Sequence, residues 1–416
     1  MKVEKEKMKN MIIKESKREM KKVHRKRWKN WAGLIIVSCF IIGAIFCLLS
    51  GGYMKKEYLK PWNKSYAAAY ADPREKLCAV GILAASNHNM QPWKIVLNKD
   101  NKHIFYLFAD ETKLTPGADP KARQMMISQG TFLEYVRQAG LEFGYTCSIE
   151  LFPDGEYDEN HLKESMQKKP VAMLTLSSVE TKQLNRYQDI FYPDTNRNAY
   201  ESKKLTAMQI ENLLSIQGDK STGLQIFQNK SDLETISNYA IKSARVEAQN
   251  STAMEESNKI FRANEYQKNK YRFGYSVEGQ GVMGIKRDIL QALLTIIPSL
   301  NSGKAASNNF IQYTKTSVDN TPAYAIITTS ANSRTMQVQS GMLYSRLVLE
   351  AHRNQLVMQP LSQVLEEYPA MSELYNSFKK EYAPANGTVQ MLFRLGTCDK
   401  KVPYSMREDI SCFIEK

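Results

Sequence analysis

The hydrophobic pattern is dominated by one feature, the run AGLIIVSCFIIGAIFCLLSGGY over residues 32–53, which carries no charged side chain. Crossing the hydrocarbon core of a bilayer takes roughly 20 residues, so the run predicts one membrane-spanning helix. The next apolar run, Ile289 to Leu300, is broken by Gln291 and Pro298 and is too short to span. It predicts a buried helix of the soluble part.

Beyond the span the periodicities shorten to those of a globular chain. Asp72-Pro73 is an N-cap followed by proline at the first helical position, and it opens a helix reaching about Ala85 with Leu77, Val80, Ile82 and Leu83 apolar. Lys94 to Leu97 and Ile104 to Phe108 predict two strands joined by the polar turn Asn98 to Lys102. A long amphipathic helix runs from Pro120 to about Phe143, with strands near Thr146 to Phe152 and Val171 to Ser177. From Phe191 onward the pattern predicts helices at Thr206 to Leu214 and Ser231 to Glu256, a strand at Ala323 to Thr329, a helix at Met336 to Asn354 and a last strand at Val389 to Leu395.

The two stretches read alike. Gln129-Gly130-Thr131-Phe132 and Ser340-Gly341-Met342-Leu343 each open an amphipathic segment. The helix gives way fourteen residues after each glycine, at Gly144-Tyr145 and Gln355-Leu356, and an apolar strand follows. An internal duplication is the reading, against the alternative of two chance amphipathic helices. Between residues 257 and 320 lies a segment rich in Asn, Lys, Ser and Tyr, which predicts a lid or a surface excursion. The chain therefore divides into a basic tail (1–31), a transmembrane helix (32–53), a linker (54–65), a first half (66–188), a second half (189–398) containing the 257–320 insertion, and a C-terminal tail (399–416).

Charge fixes the expected orientation. Residues 1–31 hold thirteen Lys or Arg against four Glu, and the net charge of the whole chain is +14. The positive-inside rule places the N-terminus in the cytoplasm and the main part of the chain outside it, anchored in the cell membrane. A cleaved signal peptide is the alternative, disfavoured by the length of the run and by Ser50-Gly51-Gly52-Tyr53 at the place of cleavage. The soluble part is only mildly basic and has no Lys/Arg stripe interleaved with aromatics, so nucleic-acid binding is not expected. No CxxC pair and no ligand-spaced histidine occurs, so no metal site is expected. His24, His103, His161 and His352 read as surface or half-buried positions, and Cys398 and Cys412 as a candidate bridge or free thiols.

Chemistry concentrates in Ser86-Asn87-His88-Asn89-Met90-Gln91-Pro92-Trp93, a poor helix and a poor strand but a good rim of hydrogen-bonding groups. Read alone, it is a polar C-cap and turn stopped by Pro92. Its spacing, Ser86-x-x-Asn89-x-Gln91-Pro92-Trp93, closely resembles the signature of the nitroreductase-like FMN-binding superfamily. Ala84-Ala85 before it and His88 inside it make it most similar to the Acg-type FMN-binding oxidoreductases of mycobacteria. Weaker matches follow in the family's order at Asp194-Thr195-Asn196-Arg197, Ser340-Gly341, Gln359-Pro360-Leu361-Ser362 and Phe393-Arg394-Leu395-Gly396, so the resemblance covers about residues 66–396.

The resemblance implies an α+β, nitroreductase-like fold in which two fused halves form an internal pseudo-dimer, so that a single chain can be a complete unit. It implies FMN as cofactor. Ser86, Asn87, Asn89 and Gln91 would hold the isoalloxazine and ribityl chain, with Thr195, Asn196 and Arg197 on the opposite side. Gln359, Leu361 and Ser362 complete the implied set, together with Arg394 near the phosphate or the pyrimidine edge. The second half reads LSIQGDKSTGLQI where the octapeptide would recur, which implies one flavin per chain. Asp194 and Asn198 stand where the family has basic residues, leaving phosphate binding to Arg197 and Arg394. The implied activity is that of an FMN-dependent oxidoreductase passing electrons from NAD(P)H or a membrane quinol to an acceptor, with no catalytic acid or base named. The alternatives are a flavin-sequestering or sensing protein and a tethered adhesion or scaffold domain. No Gly-x-Gly-x-x-Gly fingerprint follows a strand, so no separate nucleotide domain is expected.

Overall fold

Lysine- and glutamate-rich sequence favours helix as strongly as leucine does, and the basic tail and the apolar run form one element, α1 (Lys2–Ser50). The computed structural model describes residues 1–180, 185–216 and 221–415. Within the described residues α1 is the one helix long and apolar enough to cross a membrane. The expected division at residue 31 is thus a change of composition within a helix.

The first half contains α2 (Pro73–Gly81), β1 (Trp93–Leu97), β2 (Ile104–Ala109), α3 (Arg123–Glu142), β3 (Tyr145–Leu151), α4 (Leu162–Lys168) and β4 (Ala172–Ser178). A short α5 (Asn185–Asp189) leads to the second half. That half holds α6 (Ala207–Ser215), β5 (Thr222–Phe227), α7 (Lys230–Glu247), α8 (Ser251–Ile260), β6 (Phe261–Arg262), α9 (Glu265–Tyr271), β7 (Tyr275–Ser276), α10 (Ile285–Ile296), α11 (Gly303–Asp319), β8 (Ala323–Thr329), α12 (Arg334–Arg353), β9 (Val357–Pro360), α13 (Ser372–Tyr382) and β10 (Thr388–Gly396). Each half builds a four-stranded sheet, in the order β1-β2-β4-β3 and β5-β8-β10-β9. The long helix follows the second strand of each half and precedes the third, so the two sheets share one topology. The α+β class and the duplication expected from the two glycine-led helices are both present.

Gly130 and Gly341 explain why those helices read alike. The helices α3 and α12, each of 20 residues, cross where the glycines meet. A Cβ on Gly130 would lie 1.9 Å from the Val338 carbonyl oxygen, and one on Gly341 would lie 1.9 Å from that of Ile127. The relation is reciprocal, each glycine opposing the carbonyl three residues before its counterpart. Both helices end at matched places, with Gly144 and Gln355 in the left-handed region.

Burial patterns differ between the sheets for a simple reason. In β2 and β3 buried or half-buried positions alternate with more exposed ones, as in a sheet covered on one face. Every residue of β8 and β10 is buried, because α12 covers one face while α7, α11 and α13 lie toward the other.

Four expectations change. The helix predicted from Ser231 to Glu256 is two, since Asn250 accepts a hydrogen bond from the Ala253 N–H and starts α8 afresh. The first helix stops at Gly81 instead of Ala85, and Arg407 takes the Leu83 and Ala84 carbonyls at 2.7 and 3.0 Å. Residues 399–415 are not a loose tail: Ile95 pairs with Ile414, the Ile95 N–H donating to Phe413 O at 2.7 Å. Ile289 to Leu300 is helical but not an ordinary buried helix, because Ile289, Ile296, Ile297 and Leu300 are exposed. Strands β5 and β9 were not anticipated, and of the stretch LSIQGDKSTGLQI residues 217–220 lie outside the described residues.

Gly341→Ala should destabilise the protein by about 3 kcal/mol, since its methyl meets a backbone carbonyl that cannot turn away. Gly130→Ala should do the same, and denaturant unfolding of the two variants measures both losses. Two variants of native stability would overturn the close crossing.

Candidate functional site

Helix α3 carries the octapeptide on its side at the crossing. Ser128 Oγ accepts from the Asn87 N–H at 3.0 Å, Trp93 Nε1 donates to Ser128 O at 2.8 Å, Gln129 Nε2 to Pro92 O at 2.6 Å and Thr131 Oγ1 to Ala85 O at 2.6 Å. Trp93, almost fully buried against Phe132 and Phe413, is the anchor, and the polar residues before it are free to be bent. His88, Asn89 and Gln91 all have positive φ, at 48°, 54° and 53°. Each such residue costs on the order of 1 kcal/mol.

Side-chain amides hold that bend. Asn89 Nδ2 donates to Gly274 O at 2.9 Å and to Met406 O at 3.0 Å, while its Oδ1 accepts from Arg407 at 2.8 Å. Gln91, completely buried, donates to Arg272 O at 2.9 Å and accepts from the Glu408 N–H at 3.0 Å. The Ser86 hydroxyl accepts from the Gln91 N–H at 3.0 Å. Asn89 and Gln91 therefore shape the loop and tie it to the insertion and to the C-terminal segment. Ser86, Asn87, His88 and Asn89 are half-buried, and the Nδ1 atom of His88 is buried.

The loop 194–198 meets the octapeptide from the second half. Asp194 accepts from Tyr135 OH at 2.7 Å and from the Ala85 N–H, joining the halves. Thr195 bridges to Met358 of β9. Asn196 is buried and braces the loop, its Oδ1 accepting twice from Asn198 at 2.9 Å, while its Nδ2 has no partner. Arg394 lies beneath, engaging Gln359 at 2.6 Å, Ser317 O at 2.8 Å, and the Asn196 and Asn198 carbonyls, with its guanidinium 3.7 Å from the centre of the Tyr200 ring. Of the remaining positions singled out in the sequence, Gln359 serves Arg394, Leu361 is in the core with Ile236 and Val364, and Ser362 starts a 3-10 turn. The structure thus brings Ser86, Asn87 and His88 close to the loop that carries Asn196 and Arg197. Arg394 and Gln359 lie under it, and the Leu361 side chain is apart.

Arg197 is exposed at its tip, and the protein packed around its stem lowers its pKa by desolvation. Tyr200, Tyr275 and Tyr344 stand around it, and it donates to Gly279 O at 3.1 Å. Burial, and then repulsion from Arg197, bring the His88 pKa down to about 4, and its Nδ1 has no partner. Among the described residues no carboxylate lies within 4 Å of the guanidinium of Arg197, Arg394 or Arg407. Arg394 and Arg407 are buried and bonded to protein carbonyls, so Arg197 is the cation open to a ligand, near unpartnered polar atoms at Asn196 and His88, a combination chemically suited to an anion with hydrogen-bonding edges.

No family model matches the chain. Two uncharacterized proteins of Mycobacterium tuberculosis strains are 29% identical over 120 residues, which is 29% of this chain and 33% of theirs. The chain spans about a third of the length of these curated relatives. Among solved structures, similarity extends to an iodotyrosine deiodinase bound to FMN and 3-iodo-L-tyrosine, at 12% identity, 54% of this chain, 95% of that one and a TM-score of 0.31. It extends also to a nitroreductase-like family protein from Bacillus cereus, at 11%, 57%, 98% and 0.30. An FMN-dependent nitroreductase from Mycobacterium smegmatis in complex with NADPH gives 11%, 53%, 91% and 0.30.

Two contributors were missed in the sequence. Arg407 bonds Asn89, Met406, Leu83 and Ala84, and its pKa falls to about 10 through burial despite nearby Asp194 and Tyr135. Nothing local in Ser405-Met406-Arg407-Glu408 marks it. Tyr275 lies in the 257–320 segment, whose tyrosine content in a polar stretch was the signal.

Burial raises the Asp194 pKa to about 6, against the hydrogen bond from Tyr135 and the charge of Arg407. The folded state therefore holds the Asp194 proton where the unfolded chain has lost it, and stability falls as pH rises from about 4 to 6. The depressed pKa of His88 acts in the opposite direction, its contribution present above pH 6.5 and lost as pH falls toward 4. Relative to the native protein, Asp194→Asn should lose stability as pH falls from 6 to 4. His88→Asn should gain over the same window, each by on the order of 3 kcal/mol. Denaturation midpoints across that window measure both slopes, and parallel profiles would overturn the assignment.

Proposed function

We propose that the chain is a membrane-anchored, FMN-dependent oxidoreductase of the nitroreductase type. In this reading α1 holds it in the cell membrane with the N-terminus cytoplasmic. The observation that carries the reading is the meeting of Ser86-x-x-Asn89-x-Gln91-Pro92-Trp93 from one half with Thr195-Asn196-Arg197 from the other, with the exposed cation of Arg197 beside His88. The residues present fit the cofactor. Arg197 would receive the phosphate or another anionic edge, and Ser86, Asn87 and Asn196 Nδ2 would meet polar edges of the ring and ribityl chain. Arg394 would fix the 196–198 loop and add positive potential from below, while Asn89, Gln91 and Arg407 would hold the octapeptide in shape.

Bound flavin would supply the hydride and electron chemistry, and the protein supplies position and field. His88, neutral near pH 7 by its depressed pKa, adds no charge there and offers a hydrogen-bonding edge. A nicotinamide donor and a membrane quinol are both candidates for the reductant. The extracytoplasmic placement expected from the charge bias favours the quinol. A flavin-sequestering reading has one observation in its favour: residues 272–279 of the insertion bond Gln91, Asn89 and Arg197 and so lie over the octapeptide.

The purified full chain should show the absorbance bands of an oxidised flavin, or gain them on incubation with FMN. A colourless protein that cannot be loaded would overturn the proposal. Arg197→Ala should weaken FMN binding roughly ten- to a hundredfold, the range expected for a charge-assisted bond, without unfolding the protein. Arg394→Ala should first lower thermal stability. Fast reduction by NADPH or a quinol followed by reoxidation with a nitroaromatic or quinone would favour turnover over sequestration.

A further inference from the structure

Helix α10 packs against the end of α1 that lies farthest from the N-terminus. Phe46 and Leu49 are only half-exposed there and Ser50 is buried, whereas nearly all the rest of α1 is exposed. The Asp288 carboxylate lies 3.8 Å from where a Cβ on Gly52 would be. Gln291 and Leu294 of α10 are buried on its inward side, and Ala292 is buried on the stripe it shares with Ile285, Ile289 and Ile296. Outward, α10 and its flanking residues leave Met283 46%, Ile285 79%, Ile289 37%, Ile296 55%, Ile297 44% and Leu300 44% exposed. A run of large aliphatic side chains on one surface is unfavourable in water. Its neighbour α1 ends an apolar run of membrane-spanning length, so this surface lies at the boundary of the same bilayer. Lys286, exposed on the same stretch, suits anionic headgroups.

We propose that the outer face of α10, with the turn Pro298–Asn301, is a bilayer-docking surface that sits in the interfacial layer of the membrane crossed by α1. The proposal rests on α1 being a span. It gives the insertion a second, lateral attachment to the lipid. The attachment is stiff, because α10 is tied to the covering segment through buried charges. Lys268 bridges Glu265 at 2.6 Å and also Glu278, Gln291 of α10 reaches Glu265 at 3.3 Å, and Tyr58 just after α1 donates to Glu265 at 2.7 Å. The segment over the octapeptide is thereby tied to the face that meets the lipid.

The test uses the full chain in phosphatidylcholine–phosphatidylglycerol vesicles. An environment-sensitive fluorescent amino acid is placed by amber suppression at one position at a time: Phe40 in α1, Ile289 or Ile297 on the proposed surface, or Met208 on α6. Brominated lipids should quench Phe40, Ile289 and Ile297 at least threefold more than Met208. Quenching at Phe40 with Ile289 and Ile297 no more quenched than Met208 would overturn the docking surface and leave the span standing. No quenching at Phe40 would overturn the span and the proposal with it. All four positions are exposed, so the labels leave the core intact.

Discussion

Two glycines pressed against two carbonyls are the constraint on which the rest depends. Backbone-to-backbone contact between α3 and α12 leaves no room for a side chain at either crossing point, and close-packed interiors do not yield to an added methyl. The crossing sets the distance between the halves. It also places Ser128, Gln129 and Thr131, the residues that grip Ala85 to Trp93, beside the interface rather than inside one half. The approach of the octapeptide to the 194–198 loop of the other half follows from that placement. Asp194, which joins Tyr135 to the Ala85 N–H, secures it from the other side.

Symmetry at the crossing does not extend to the site. In the first half a short hairpin joins the first two strands of the sheet. In the second half the corresponding connection, between β5 and β8, has grown into α7 to α11. That growth covers the back of the second sheet, which is why β8 and β10 are buried on both faces. The octapeptide exists only once in the chain, and the insertion reaches across to it through Arg272, Gly274 and Gly279. One duplicated frame thus carries one octapeptide and one covering insertion.

Much of this was legible, and the reasons differ from element to element. The glycine-led helices announced the duplication because a close crossing demands glycine wherever it occurs. The octapeptide stood out because three carboxamides in six residues suit neither helix nor strand. Strand β5 was missed because its sequence, TGLQIF, is short and follows a polar stretch, and its place in the sheet comes from pairing with β8. The engagement of Asn89, Gln91 and Arg394 by protein groups could not be read either, since their partners lie some 180 to 320 residues away for the amides and up to 198 for the arginine. Arg407 was invisible for the same reason. Local pattern reports which side chains can form hydrogen bonds, and only the fold decides with whom.

The pairing of Ile95 with Ile414 has a consequence for the order of assembly. The outer edge of β1 is closed by residues 413–415, and Trp62 and Tyr58 are bonded to Ser405 O and the Arg407 N–H. The first half therefore cannot complete its own sheet when its own residues have emerged from the ribosome. Its open edge must wait for a segment made more than 200 residues after β4, and an unpaired strand edge of that kind invites wrong partners. Such a chain matures as a single event, late, and a cell that makes it has reason to shelter the first half until the second arrives.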